Sequence, residues 1–114
     1  MIKIYHNPRC SKSNQGIKLL EDSGNKYEII RYLEEIPTES ELTELIGKLN
    51  IAPIELVRTR EKIWKEHFRG KEMSDAEIIG AMLKYPILIE RPIVINGNKA
   101  AIGRPTERIV DILK

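Results

Sequence analysis

Cys10 is the single cysteine of the 114-residue chain, and its neighbours are of the types that turn a thiol into a nucleophile. It follows Arg9 and precedes Ser11-Lys12-Ser13, where a short alternating apolar stretch gives way to a helical pattern. A sulfur at such a junction lies near the unpaired amides of Ser11, Lys12 and Ser13 and near the positive end of the helix dipole. Arg9 and Lys12 add positive charge. Both influences lower the pKa of a thiol, and the thiolate is the reactive form. The bland alternative is a buried cysteine acting as a small apolar residue. Ser13 stands where a Cys-x-x-Cys motif would carry its second thiol. Its hydroxyl can donate to a thiolate or a bound anion, or it can be an ordinary first-turn residue, but it cannot resolve a disulfide. His6, four residues before Cys10, could stabilise the thiolate when protonated, or could be a hydrogen-bonded histidine at a strand end.

Four arginines extend the argument. Arg58 and Arg60 lie near the end of one helical stretch, Arg91 stands before Pro92, and Arg104 before Pro105. Taken singly, each reads as a solvated charge or a helix-end ligand. Taken together, their forked guanidinium groups suit a tetrahedral oxyanion. Pro92 precedes an apolar strand and lacks a donor for sheet pairing, which marks a turn or a cis bond. Only about 5% of X-Pro bonds are cis in folded proteins, so the residues alone predict trans. Trp64, His67 and Phe68 share a charged helix and are expected to pack onto the sheet; a partner surface is the other reading. Glu34, Glu35, Glu39, Glu41 and Glu44 read as a solvated face with a helix cap.

The elements that must position these groups can be read from periodicity. Ile2-Lys3-Ile4-Tyr5 alternates as a strand, His6 to Arg9 form a turn, and a helix carries Ile17, Leu19 and Leu20 to a stop at Gly24-Asn25. Tyr27 to Leu33 has the β-branched and aromatic content of a second strand, which completes a βαβ unit over residues 2 to 33. Thr38-Glu39-Ser40-Glu41 and Ser74-Asp75-Ala76-Glu77 are capping boxes. The first opens a helix with Leu42, Leu45, Ile46 and Leu49 on one face, and the second a helix with Ile78, Ile79, Met82 and Leu83. Asn50 ends the first of these and Pro86 the second, with Pro53 opening a short helix between them. Ile87 to Pro92 leads into a strand at Ile93-Val94-Ile95, Asn96-Gly97-Asn98 turns, and Lys99 to Ile102 returns as a hairpin. Pro105 fits the first position of a closing helix whose apolar face is Ile109, Val110, Ile112 and Leu113. The order βαβ, helical block, ββα predicts an α/β thioredoxin-like fold with a mixed four-stranded sheet. A single domain, 1–114, with a helical insertion at 37–86 is expected. When the residues before the third strand and at the start of the last helix lie on the Cys10 side of such a sheet, Arg91 and Arg104 converge on the sulfur.

Composition sets outer limits. Hydrophobic residues are 41% and charged residues 32%, with 19 Lys+Arg against 17 Asp+Glu. This mixture excludes intrinsic disorder and carries no nucleic-acid signature. No apolar run nears the ~18 residues of a membrane span, and the N-terminal residues lack a signal core, so a soluble cytoplasmic protein is expected. A single cysteine excludes an internal disulfide and the multi-cysteine zinc sites. Redox chemistry would have to borrow a second thiol.

Three stretches carry a resemblance: Ile4-Tyr5-His6-Asn7-Pro8-Arg9-Cys10-Ser11-Lys12-Ser13, Ile87-Leu88-Ile89-Glu90-Arg91-Pro92-Ile93-Val94 and Ile102-Gly103-Arg104-Pro105. In order and spacing they resemble the thioredoxin-fold arsenate reductases that use glutathione and glutaredoxin, within the arsenate reductase and Spx superfamily. The likeness spans essentially the whole chain and is greatest to the shorter, chromosomal members. It implies that Cys10 is the nucleophile and that His6 helps keep it ionised. It also implies that Arg58, Arg91 and Arg104 bind the oxyanion with Ser11, Lys12 and Ser13; Leu56-Val57-Arg58 matches the first family arginine, with Arg60 as its neighbour. The bond before Pro92 is implied to be cis. The implied substrate is arsenate or a similar oxyanion, with glutathione as co-substrate, glutaredoxin as partner, no bound cofactor or metal, and a monomeric cytoplasmic protein. The rival within the superfamily is an Spx-type regulator that binds RNA polymerase, whose common Cys-x-x-Cys switch Ser13 interrupts. A thiol-transfer protein acting on another substrate is the remaining alternative.

Overall fold

A computed structural model describes residues 2–113, which divide into two compact units: 2–35 with 91–113, and 36–90. The first unit is built on a mixed sheet of four short strands, β1 (Ile2–Tyr5), β2 (Tyr27–Ile30), β3 (Ile93–Asn96) and β4 (Lys99–Ile102), in the order β2-β1-β3-β4. β1 runs parallel to β2 and antiparallel to β3, with Tyr5 opposite Ile93. Parallel pairing of β1 and β2 requires a crossover, and helix α1 (Ser11–Ser23) provides it. β3 and β4 form a hairpin in which Asn96 faces Lys99, and Gly97 takes a φ of 63° as the first residue of a two-residue loop. The core gathers Ile2 and Ile4 from β1, Leu20 from α1, Val94 from β3, and Ile109 and Ile112 from the C-terminal segment. Burial of each such aliphatic side chain stabilises the fold by roughly 1.5–3 kcal/mol.

Two glycines permit the close packing of this unit. A Cβ on Gly16 of α1 would sit 3.1 Å from Pro92, and one on Gly103 would sit 2.8 Å from both Ile109 and Pro92. α1 ends at Gly24, whose φ of 77° and N–H donation to Glu21 form a left-handed cap.

Helices form the second unit: α2 (Glu39–Leu49), α3 (Lys62–His67) and α4 (Asp75–Lys84), with 3₁₀ segments at Pro53–Leu56 and Pro86–Leu88. Both capping boxes form. Thr38 Oγ1 accepts from Glu41 N–H at 3.1 Å, and Ser74 Oγ from Glu77 N–H at 3.2 Å, while each glutamate accepts the amide of its capping residue in return. α2 and α4 pack together with Leu42, Leu45, Ile46, Ile78, Ile79 and Met82 buried. The rings of Trp64 and Phe68 meet at 5.2 Å, and Tyr85 stacks on His67.

Three expectations are corrected. The second strand, expected through Leu33, ends at Ile30, because the Arg31 carbonyl accepts the amides of Glu34 and Glu35 and so closes a turn. The expected run from Ile87 into the third strand is broken. Residues 86–88 form a 3₁₀ turn, and Ile89 makes only an isolated bridge to Val57. The closing helix is a 3₁₀ helix, Thr106–Ile112, with Pro105 outside it as an extended N-cap at ψ 161°. Its three-residue turn puts Ile109 and Ile112 on the buried side and leaves Val110 exposed, against the four-residue apolar face predicted for an α-helix.

Candidate active site

Cys10 is the N-cap of α1, with extended backbone at φ −102° and ψ 122° and a partly buried side chain. The turn that delivers it is braced by Asn7. The Asn7 carbonyl accepts the Cys10 N–H at 3.0 Å, its Oδ1 accepts the Arg9 N–H at 3.0 Å, and its own N–H donates to Ser13 Oγ at 3.3 Å. This is the side-chain-to-backbone bonding that suits asparagine to turns. Asn14 adds a bond from Nδ2 to the Pro8 carbonyl at 3.1 Å.

Two guanidinium groups meet the sulfur. Arg104 donates from Nη2 to Cys10 Sγ at 3.4 Å and from Nε to the Arg91 carbonyl at 2.7 Å. Arg91, 9% exposed, hydrogen-bonds through its side chain to Cys10 as well. Burial pushes the thiol up, but the Ser13 amide, the Arg91 side chain and the Lys12 amide together outweigh it, and the pKa falls from 9.0 to about 7. The same contact works in the other direction. Burial disfavours the Arg91 charge, but Cys10 and Tyr32 more than offset this and raise its pKa.

The other site residues predicted from the sequence are placed as follows. Ser11 and Lys12 are exposed at the start of α1, and Ser13 is fully buried, occupied with Asn7. The Arg91–Pro92 bond is cis, against the expectation from the residues alone, and so is Arg104–Pro105. His6 is buried, and its Nδ1 has no hydrogen-bond partner among the described residues. Burial first, and the charge of Arg31 second, lower its pKa below the ordinary 6.5, so the imidazole is neutral at pH 7. Of the two readings of His6, a buried strand-end histidine describes this state better than a protonated partner of the thiolate; the positive charge at the sulfur comes from the arginines. Arg58 belongs to the second unit, where its Nε and Nη1 are each 3.1 Å from a carboxylate oxygen, of Glu61 and Glu90 respectively. Arg60 is exposed.

Two residues of the site escaped sequence reasoning. Asn7 carried a signal, an Asn-Pro pair at a strand-to-helix turn. Tyr32 carried none, because its type and position read as strand. Its ring is fully buried and stacked at 6.1 Å on Tyr5, and it contributes to the surroundings that raise the Arg91 pKa. The buried polar and charged residues described are His6, Asn7, Ser13 and Arg91, all in the first unit, and all but Arg91 lie within four residues of Cys10. Groups that are expensive to bury are thus collected around one sulfur.

The chain as a whole has counterparts. The chain matches the ArsC family over residues 5–112. The chain belongs to the ArsC family. An arsenate reductase of Haemophilus influenzae is 42% identical over 112 residues, covering 96% of this chain and 97% of the relative, and one of Neisseria meningitidis serogroup A is 40% identical over 114 residues, covering 98% and 97%. The solved structure described as an arsenate reductase from Vibrio cholerae superposes with a TM-score of 0.93 at 40% identity, covering 97% of this chain and 96% of that one. The thioredoxin-like α/β architecture is therefore that of the ArsC family, and the Cys10 centre sits where β1 meets α1 within it. Among the described residues of this ArsC chain, no three His, Cys, Asp or Glu side chains cluster as a metal site would need, and no helix is long and apolar enough to cross a membrane.

Proposed function

We propose that this chain reduces arsenate to arsenite, with Cys10 as the nucleophile. The observation that carries the reading is the sulfur itself: a thiol acidified to about 7, touched by two guanidinium groups, in a chain with ArsC relatives named arsenate reductase. HAsO₄²⁻ and a thiolate repel each other. Arg91, Arg104 and the amides of Lys12 and Ser13 that face the sulfur neutralise the oxyanion and let the sulfur approach. Cys10 then attacks arsenic and displaces hydroxide, which leaves as water. Reduction of As(V) to As(III) takes two electrons, and the chain has no second cysteine to supply them. Two external thiols do so. Glutathione displaces a second hydroxide from arsenic, which also leaves as water. A glutaredoxin thiolate then attacks the glutathione sulfur, so that a mixed disulfide departs and the electron pair of the broken As–S bond leaves As(III) on Cys10 for release by water. The reaction belongs in the cytoplasm, where glutathione is kept reduced.

Arsenate-dependent NADPH oxidation, coupled through glutathione, glutaredoxin and glutathione reductase, tests this reading. Turnover should vanish in Cys10→Ser while circular dichroism stays unchanged. Substantial turnover in the Cys10→Ser variant, or none in a folded wild-type protein, would overturn it. Arg91→Ala or Arg104→Ala removes a charge-assisted contact of about 1.5–3 kcal/mol and should raise the arsenate KM roughly ten- to hundredfold.

A further inference from the structure

We propose that Asn7 is a positioning residue of this site, holding the turn of residues 7–10 against α1 so that the Cys10 sulfur stays directed at the Arg104 guanidinium. The inference rests on Cys10 being the nucleophile. It begins where β1 ends. The His6 N–H donates to the Ile30 carbonyl at 2.9 Å, so Asn7 leaves directly from the last bond to β2. From there Asn7, Pro8, Arg9 and Cys10 make a four-residue turn, closed by the Cys10 N–H on the Asn7 carbonyl at 3.0 Å, with Pro8 where its fixed φ suits a turn. The Cys10 carbonyl accepts the Asn14 N–H at 3.1 Å, which starts α1. Cys10 is shared by turn and helix, so the direction of its side chain follows from the angle between the two.

Cysteine is not among the residues that cap a helix well, so other groups must fix that angle. The Asn7 side chain does so on one side, its Oδ1 accepting the Arg9 N–H at 3.0 Å. On the other, the Asn7 N–H donates to Ser13 Oγ at 3.3 Å and ties the turn to the first turn of the helix. Asn7 is 4% exposed and Ser13 fully buried, so water does not take over these bonds, unlike the exposed one from Asn14 Nδ2 to the Pro8 carbonyl. Burying the Asn7 amide has a cost that an alanine would avoid, and what it secures is the residue immediately before the sulfur. The target of the sulfur is equally fixed. Arg104 Nη2 donates to Cys10 Sγ at 3.4 Å while its Nε is held on the Arg91 carbonyl at 2.7 Å, so the donor cannot follow a sulfur that swings away. Arg91 is the other charged group that faces the sulfur, and Arg9 and Lys12, on the sulfur's own turn and helix, are exposed.

Asn7→Ala removes the Oδ1 acceptor and leaves the backbone groups of the turn in place. The measurement is the pH dependence of Cys10 alkylation by iodoacetamide, alone and in an Arg104→Ala background. The expected result in Asn7→Ala is a midpoint raised from about 7 by about half a pH unit, at unchanged circular dichroism, and a smaller rise when the substitution is added to Arg104→Ala. An unmoved midpoint in the folded variant overturns the proposal, and so does an equal rise with and without Arg104. If Asn7→Ala does not fold, Ser13→Ala decides instead. It removes the acceptor of the Asn7 N–H and should raise the midpoint in the same way, and an unmoved midpoint there overturns the proposal. Alkylation needs no arsenate, so a protein without arsenate turnover but with the alkylation pattern above would refute the proposed reaction and leave the role of Asn7 supported.

Discussion

At the scale of single residues, the acidity of Cys10 sets the pH dependence. Alkylation should be fast above pH 7 and fall as pH drops through about 7, because the thiolate is the attacking species. The same shift enters stability. A thiol whose pKa is depressed on folding stabilises the native state fully above its unfolded value of 9.0 and loses that contribution as pH falls to about 7. Wild type should therefore gain stability over Cys10→Ser between pH 7 and 9, by a small amount since the sulfur is only partly buried, and denaturant titrations of both proteins measure it. His6 acts at lower pH. Its depressed pKa means that the unfolded chain binds the extra proton, so native stability should fall as pH drops below 6.5, less steeply in His6→Gln. The placement of Cys10 at the start of α1 with Arg91 and Arg104 beside it was legible because a thiol at a strand-to-helix junction and Arg-Pro pairs before two elements are local patterns. The neutral state of His6 was not legible, since it comes from burial that only the folded chain creates. Nor was the burial of Tyr32, whose stacking partner Tyr5 lies on the neighbouring strand β1.

At the scale of elements, Gly103, between β4 and Arg104, is the tightest of the glycine contacts. Gly103→Ala places a methyl group 2.8 Å from Ile109 and Pro92, and overpacking of this kind costs about 1–3 kcal/mol. The expected result is a lower denaturation midpoint, with loss of thiolate acidity if Arg104 is displaced with it. Thr38→Ala removes one half of a capping box and should cost about 1 kcal/mol without affecting Cys10 alkylation, which separates a stability effect from a site effect. The caps, the βαβ order and the β3–β4 turn were readable since each is specified within a few residues. The end of β2 was not, because Tyr32 has strand propensity and its burial is settled by Tyr5. The closing segment misled for a related reason. Ile109 and Ile112 fit a three-residue turn as well as a helical face, and only Val110 on the outside separates the two.

At the scale of the whole molecule, Cys10, Arg91, Arg104, Asn7 and Tyr32 all belong to the unit made of residues 2–35 and 91–113. Arg58 is in the other unit and shares its charge with Glu61 and Glu90. Its alanine variant should therefore raise the arsenate KM less than Arg91→Ala or Arg104→Ala and instead lower stability, since two partly buried carboxylates lose their cation. Steady-state kinetics and denaturation of the three variants give the ranking, and an Arg58 effect on KM as large as the others would sink it. The discontinuity of the first unit has a consequence for synthesis. Chains emerge from the ribosome N-terminal end first, so the nucleophile appears early and waits while residues 36–90 are made before its guanidinium partners exist. Until β3 and β4 join β1, the sulfur lacks the guanidinium share of its acidification and has at most the amides of Lys12 and Ser13. A nascent chain is therefore less open to oxidants and electrophiles at Cys10 than the finished one. Stalled chains ending before residue 91 should alkylate at neutral pH more slowly than the finished protein.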